Sequence, residues 1–190
     1  VADSLGDAGH FVACDVADKS QVESAVTAAV DYFGTLDVLV NNAWGGGRIS
    51  RVEQKTPELV QGGLDIGFLG PLWAMNAAHA VMKPKGWGRI INMASLNGVN
   101  AHMGTLEYNS AKEALRAASR TDAREWASTG ITVNVICPAA KSASFRRVMQ
   151  QNPELEAAAD AGNPMGRMGD PDDDIAPVAV FLASDASRYL

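Results

Sequence analysis

A chain of 190 residues with 47% hydrophobic and 20% charged side chains has the balance of a globular protein with a substantial core. Its formal net charge of −6, without any basic run, argues against nucleic-acid binding, and no apolar run reaches the roughly 18 residues that a membrane span needs. The two cysteines, Cys14 and Cys137, lie in apolar runs without metal-ligand spacing, so we expect reduced thiols, a cytoplasmic protein and no metal site.

Strand-like and helix-like segments alternate along the chain. Four apolar, β-branched runs predict parallel strands that are buried on both faces, at 10–16, 36–42, 88–95 and 131–138. Helical patterns follow them at 18–33, 57–82, 106–128 and 171–184. This alternation predicts a right-handed α/β layer fold, and the absence of a linker or repeat favours a single domain over residues 1–190.

Polar residues fall where the predicted strands end. Asp15 ends the first strand, Asn41 and Asn42 the second, Ser95 the third, and Cys137 followed by Pro138 the fourth. In open α/β sheets the ligand crevice lies outside the carboxyl ends of the strands, so these positions predict a site. The alternative is that the strands simply lead into polar loops.

The stretch E-Y-N-S-A-K at 107–112 places Tyr108 and Lys112 one helical turn apart on the same face. A free phenol has a pKa of about 10, and an ammonium group nearby favours the phenolate. The small residues between them leave room for a planar partner. The pair is therefore a candidate for proton transfer, although an ordinary surface pair would give the same letters.

Ser95 strengthens the proton-transfer interpretation. It precedes Tyr108 by thirteen residues and stands at the end of the third predicted strand. A hydroxyl there could hydrogen-bond the oxygen on which the phenol acts. The alternative is a serine that only caps the end of the strand.

Several motifs together resemble those of the short-chain dehydrogenase/reductase family over nearly the whole chain. They are N-N-A at 41–43, I-N-M-A-S at 91–95, Y-N-S-A-K at 108–112 and N-V-I-C-P at 134–138. The resemblance implies a Rossmann-like doubly wound parallel sheet, NAD or NADP as cofactor, and hydride transfer to or from a carbonyl, alcohol or enoyl-type small molecule. It also implies packing against a second subunit as a homodimer or homotetramer.

The same resemblance assigns roles to individual residues. Tyr108 would be the acid/base, Lys112 would lower its pKa and bind the nicotinamide ribose, and Ser95 would orient the reacting carbonyl or hydroxyl group. The implied cofactor contacts, besides Tyr108 and Lys112, are Asp15 and Val16 at the adenine, Pro138 near the nicotinamide, and Asn41, Ala43 and Gly45 along the dinucleotide.

The family's glycine-rich phosphate loop is absent from these 190 residues. The glycines at 45–47 fit a flexible loop better than they fit that motif. The final strand would follow Leu190. We therefore expect the fold of this chain to be incomplete at both ends, and we expect the chain alone to bind dinucleotide poorly or to aggregate.

Three positions depart from the family pattern. Gly67 stands where many members have an asparagine that completes a catalytic tetrad, and the glycine predicts either a kink or close helix packing. Trp44 and Ala139 stand where glycine is usual. Trp44 is either a plain loop anchor or a ligand contact.

Weaker candidates are His102, in the loop before Tyr108, and the segment 142–165, which matches in position the family's variable substrate lid. Two other functions stay open. One is a nucleotide- or partner-binding protein without turnover, which the intact Ser95, Tyr108 and Lys112 disfavour. The other is a Ser–Lys hydrolase using Ser95 and Lys112, which lacks a nucleophile elbow and leaves Tyr108 without a role.

Overall fold

The computed structural model describes residues 2–150 and 153–190. Three strands form one parallel sheet in the order β1–β2–β3, with Val38 opposite Arg89 and Gly88 opposite Ile131. The strands are β1 (Val38–Asn41), β2 (Gly88–Met93) and β3 (Ile131–Ile136). Because they run parallel, their carboxyl ends lie at one edge of the sheet, where ligand sites form in this class of fold.

Helices connect and cover the strands. The α-helices are α1 (Ala2–Leu5), α2 (Lys19–Phe33), α3 (Pro57–Leu64), α4 (Gly70–Met82), α5 (Leu106–Trp126), α6 (Ala143–Met149), α7 (Pro153–Gly162) and α8 (Ala176–Ala183). Short 3₁₀ turns cover Gly6–Ala8, Val52–Gln54, Lys83–Lys85, Ala127–Thr129 and Asp185–Ser187, and π turns cover Asp65–Leu69 and Pro171–Ile175. Among the described residues no helix combines the length and the apolar character that crossing a bilayer requires.

The core lies between the sheet and the pair α4 and α5. Its members are buried apolar side chains from these helices and from two strands: Met75, Ala78, Met82, Ile90, Leu115, Ile131 and Val133. Side chains alternate along a strand, so Arg89 points away from this cluster. It donates to the Ser184 carbonyl at 3.4 Å, just beyond α8. Helices therefore cover both faces, which confirms the predicted doubly wound parallel sheet.

Local capping explains why α2 begins and ends where the sequence predicts. The Asp18 side chain accepts hydrogen bonds from the backbone N–H groups of Ser20 and Gln21, which would otherwise lack partners in the first turn. Gly34 ends the helix in the left-handed conformation at φ 78°, where a residue without a Cβ is favoured.

The predicted strand at 10–16 is wrong. The segment keeps the alternating exposure of a strand, with Cys14 and Val16 turned inward and Phe11 77% exposed. It makes no strand ladder with any residue that the structure describes. A strand is stabilised by hydrogen bonds to a neighbouring strand, so an alternating apolar pattern alone does not produce one.

The helix predicted over 57–82 is present but interrupted. Helix α3 ends at Leu64, a π turn follows, and α4 begins at Gly70. The other predicted strands and helices have ends within a few residues of those observed. The segment 171–184 opens with a π turn that the Asp170 side chain caps through the N–H groups of Asp172 and Asp173.

Candidate active site

Helix α5 presents Tyr108 and Lys112 at the carboxyl edge of the sheet. The ammonium of Lys112 donates a 2.7 Å hydrogen bond to the carbonyl of Met93, the last residue of β2. The same nitrogen lies 5.9 Å from the centroid of the Tyr108 ring. The phenol is only half-buried, whereas Lys112 is 3% exposed. The structure thus brings the two predicted groups together at a strand end.

Burial changes the acidity of Lys112. Removal of the ammonium from water lowers its pKa from 10.5 to about 8, and Cys137 acts in the opposite direction. Among the described residues, the hydrogen-bond acceptor of this ammonium is the Met93 carbonyl and not a carboxylate. A lysine has three hydrogens to donate, and this bond uses one of them.

Ser95 follows β2 by two residues and is 7% exposed. Its hydroxyl oxygen accepts a hydrogen bond from the Asn97 N–H at 3.1 Å, so it does cap the end of the strand. A hydroxyl group accepts and donates at once, and capping leaves the hydrogen as a donor. The next loop lies tightly on α5, since a Cβ at Gly98 would stand 3.0 Å from the Asn109 carbonyl oxygen.

Trp44 is half-buried and lies beside both groups of α5. Its ring meets Tyr108 edge to face, with centroids 4.7 Å apart and planes at 74°. The Lys112 ammonium lies 5.6 Å from the indole centroid. Trp44 thus lies beside the two candidate catalytic side chains, and a ligand contact by it stays a prediction.

Gly67 lies in the π turn and is buried against this tryptophan. A Cβ at Gly67 would stand 2.7 Å from Trp44 Cζ3 and 2.8 Å from Ala111 Cβ, which is too close for real carbon atoms. The sequence predicts either a kink or close helix packing at Gly67. The structure shows close packing, and it places Gly67 in a π turn between α3 and α4.

A buried ion pair next to Tyr108 was not predicted. Lys55 Nζ lies 2.6 Å from Glu107 Oε2, and the two side chains are 1% and 2% exposed. Glu107 Oε1 also accepts from the Arg48 N–H at 2.8 Å. Lys55 donates to the carbonyls of Arg48 and Gly104 as well. The partners are 52 residues apart in the sequence, so no local pattern could have indicated the pair.

The residues predicted to contact a dinucleotide divide into two groups. Val16, Asn41 and Ala43 line a largely apolar cavity of about 250 Å³ between α2, β1 and α4. Gly70, at the start of α4, also lines this cavity, and a Cβ there would collide with the Val16 carbonyl. Asn41 donates its amide to the Asn92 side chain at 2.7 Å, so this amide already has a structural partner.

The remaining predicted contacts lie elsewhere at the same edge. Asp15 is exposed and accepts a hydrogen bond from the Ala17 N–H at 2.9 Å. Gly45 directly follows Trp44, and Pro138 follows β3 by two residues. A dinucleotide contact by any of these residues stays a prediction.

The weaker candidates are less closely tied to this site. His102 is exposed, with Nδ1 3.3 Å from Thr105 Oγ1. The predicted lid contains α6 and α7, and Lys141 joins α7 through ion pairs with Glu156 and Asp160 at 2.7 and 2.9 Å. Its residues 151 and 152 lie outside the described part of the chain. Within the described residues, no group of three or more His, Cys, Asp or Glu side chains is placed to hold a metal ion.

Comparisons with known proteins identify the family of the chain. All 190 residues match the family model described as Enoyl-(Acyl carrier protein) reductase. The chain is 34% identical over 172 residues to a 12alpha-hydroxysteroid dehydrogenase from Clostridium sp., covering 90% of this chain and 66% of that protein. It is 33% identical over 188 residues to 3-oxoacyl-(acyl-carrier-protein) reductase FabG from Vibrio cholerae, covering 99% and 75%.

A solved structure of ElxO with NADP bound superposes with a TM-score of 0.88 at 26% identity, over 95% of this chain and 73% of that one. The chain thus spans about two thirds to three quarters of the length of these relatives. The motifs, the doubly wound sheet and the comparisons lead to one conclusion. This chain belongs to the short-chain dehydrogenase/reductase family of NAD(P)-dependent oxidoreductases.

Proposed function

We propose that the protein interconverts a hydroxyl and a carbonyl group on a small molecule, with Tyr108 as the acid/base. NAD or NADP, when bound, supplies or accepts the hydride. The observation that carries the proposal is the placement of the buried Lys112 ammonium, which is hydrogen-bonded to Met93 at the end of β2 and lies 5.9 Å from the Tyr108 ring.

Each of the three residues has a distinct task in this proposal. Tyr108 donates a proton to the carbonyl oxygen during reduction and removes it from the hydroxyl group during oxidation. Ser95 donates a hydrogen bond to the same oxygen and so orients it. Lys112 holds a positive charge beside the phenol, which favours the state of Tyr108 that has lost its proton.

Lys112 also fits a nicotinamide ribose. Of its three hydrogens, one is bonded to the Met93 carbonyl, so two further donors are available to the ribose hydroxyl groups. The side chain is held by a backbone carbonyl and not by a carboxylate, which would compete for the ammonium. Val16, Asn41 and Ala43, which line the cavity beside β1, would hold the adenosine half of the cofactor.

The names of the relatives support the substrate class. One acts on a hydroxysteroid and another on a 3-oxoacyl group, so each name contains a hydroxyl or oxo function. The family model carries the name of an enoyl reductase, which makes an enoyl thioester the second substrate to test. We further propose a homodimer or homotetramer in the cytoplasm, and analytical ultracentrifugation of the full-length protein tests the assembly.

Replacement of Tyr108 by Phe tests the proposal. We expect the full-length variant to lose about 100-fold or more in kcat, because proton transfer loses its donor, and to retain cofactor affinity. Turnover is followed by the absorbance of the reduced nicotinamide on a panel of alcohols, ketones and enoyl thioesters with both cofactors. Cofactor binding is followed by fluorescence titration.

The matched control is Tyr189→Phe, since Tyr189 is 99% exposed and far along the chain from the site. This variant should behave as the wild type. Unchanged turnover in Tyr108→Phe would refute the assignment of the acid/base. A wild-type protein that binds cofactor but turns over no member of the panel would favour a binding protein without catalysis.

A further inference from the structure

Trp44 and Gly67 pack against each other beside the candidate catalytic side chains. The indole lies edge to face against Tyr108 at 4.7 Å and 5.6 Å from the Lys112 ammonium. It therefore contacts both groups at once. Trp44 is the third residue beyond β1, whereas Tyr108 and Lys112 stand on α5, so this one ring connects two separate elements of the fold.

The indole reaches this position only because residue 67 has no side chain. A Cβ at Gly67 would stand 2.7 Å from Trp44 Cζ3, 3.2 Å from Trp44 Cε3 and 2.8 Å from Ala111 Cβ. Carbon atoms pack at about 3.5–4.0 Å, so even one added methyl group would displace the indole or push α5 away. Ala111 directly precedes Lys112, and any such displacement would reach the ammonium.

The loop that follows Trp44 does not fix the ring by itself. Gly46 and Gly47 have φ angles of 73° and 82°, in a left-handed region that glycine enters readily. The position of the indole is therefore set by what it touches. Its neighbours include the Tyr108 phenol ring, the Lys112 ammonium and the backbone at Gly67.

We propose that Trp44 is a positioning residue whose indole, in the space left by Gly67, fixes the separation of Tyr108 and Lys112 and excludes water from the ammonium on that side. The inference rests on the proposed function of these two side chains. An indole keeps water from the ammonium on its side and adds no strong hydrogen-bond acceptor that would compete for it. Burial lowers the pKa of Lys112, and shielding by the indole would act in the same direction.

The test is a double-mutant cycle in the full-length protein with Trp44→Ala, Gly67→Ala and the double variant. We expect Gly67→Ala to unfold at a lower temperature than the wild type and to lose about 10- to 100-fold in kcat, the size of effect that a misplacement of about 1 Å has. The double variant should unfold at a higher temperature than Gly67→Ala alone, because the collision with the indole is gone and only the one with Ala111 Cβ remains, yet its kcat should stay low. Such non-additivity identifies residues in contact.

A second measurement separates positioning from mere stability. Titration of Lys112 by NMR of ¹³Cε-labelled lysine should show its pKa rising from about 8 towards 10.5 in Trp44→Ala, since water then reaches the ammonium. Trp44→Phe keeps an aromatic ring and should retain a lowered Lys112 pKa and most of the activity. Gly62→Ala is the matched glycine control, because a Cβ there meets nothing within 4 Å.

The outcomes separate this inference from the proposed function. Additive losses in the cycle, or a Lys112 titration that is the same in Trp44→Ala as in the wild type, would overturn the role of Trp44 even if the enzyme is active. A wild type without oxidoreductase activity would refute the proposed function. The stability cycle and the lysine titration would then still decide whether Trp44 and Gly67 act as a pair.

Discussion

At the scale of single residues, the charged pair Lys55 and Glu107 is nearly removed from water next to Tyr108. The Glu107 carboxylate lies 2.6 Å from the Lys55 ammonium nitrogen, and it accepts a hydrogen bond from the Arg48 N–H at 2.8 Å. Burial raises the pKa of this carboxyl, but hydrogen bonds from Lys55, from the Arg48 N–H and from its own N–H, together with the charge of Lys55, lower the pKa below 4.5. Lys55 also holds the Gly104 carbonyl, so the pair ties the segment after β1 to the start of α5.

We expect Glu107→Gln to cost about 3–5 kcal/mol in the free energy of unfolding at pH 7, because it leaves the Lys55 ammonium buried without a counter-charge. Urea unfolding of the full-length protein measures this. The control is Glu23→Gln, which breaks the exposed pair with Lys19 and should cost at most about 0.5 kcal/mol. Equal costs for Glu107→Gln and Glu23→Gln would contradict this account.

The pair also makes stability depend on pH. Because the folded pKa of Glu107 is lowered, its stabilisation is present above pH 4.5 and is lost as the pH falls through the folded pKa.

At the scale of elements, helix α3 packs on α5 through a glycine. A Cβ at Gly63 would stand 2.8 Å from Glu107 Cβ and 3.3 Å from its carbonyl oxygen. A Cβ at the neighbouring Gly62 would meet nothing within 4 Å. Two adjacent glycines of one helix thus have different physical roles. Gly63 permits close approach to the helix that carries Tyr108, whereas Gly62 only weakens α3 relative to alanine.

Alanine substitutions at these two positions should change stability in opposite directions. Gly63→Ala overpacks the contact with Glu107 and should destabilise the protein by about 1–3 kcal/mol. Gly62→Ala should stabilise it by about 0.5–1 kcal/mol, because alanine loses less conformational freedom in a helix. Thermal unfolding of the two variants side by side measures the difference. If both raised the midpoint of unfolding, the close contact of α3 with α5 would be wrong.

Across the whole molecule, the sequence predicts features that depend on residues close together in the chain. It does not predict features that depend on how separate elements pack. Apolar, β-branched runs predict the strands β1, β2 and β3, and a helical period with its capping residues predicts α2. The strand at 10–16 could not be judged from its own pattern, because a strand requires a neighbour that hydrogen-bonds to it.

The site follows the same rule. Tyr108 and Lys112 lie in one helix and could be placed together from their spacing, and Ser95 could be placed at a strand end. The fit of Trp44 into the space at Gly67, and the pair of Lys55 with Glu107, join residues from separate elements. Contacts of that kind depend on how the elements pack, and no periodicity within either element encodes them.

In the proposed reaction, Ser95, Tyr108 and Lys112 act on one reacting centre. A crystal structure of the full-length protein with NAD(P) and a substrate analogue bound tests it most directly. We expect Tyr108 Oη and Ser95 Oγ both within about 2.6–3.2 Å of one analogue oxygen, and Lys112 Nζ within the same range of a ribose hydroxyl group. A bound analogue whose oxygen lies out of reach of the phenol, with the ammonium turned away from the cofactor, would contradict it.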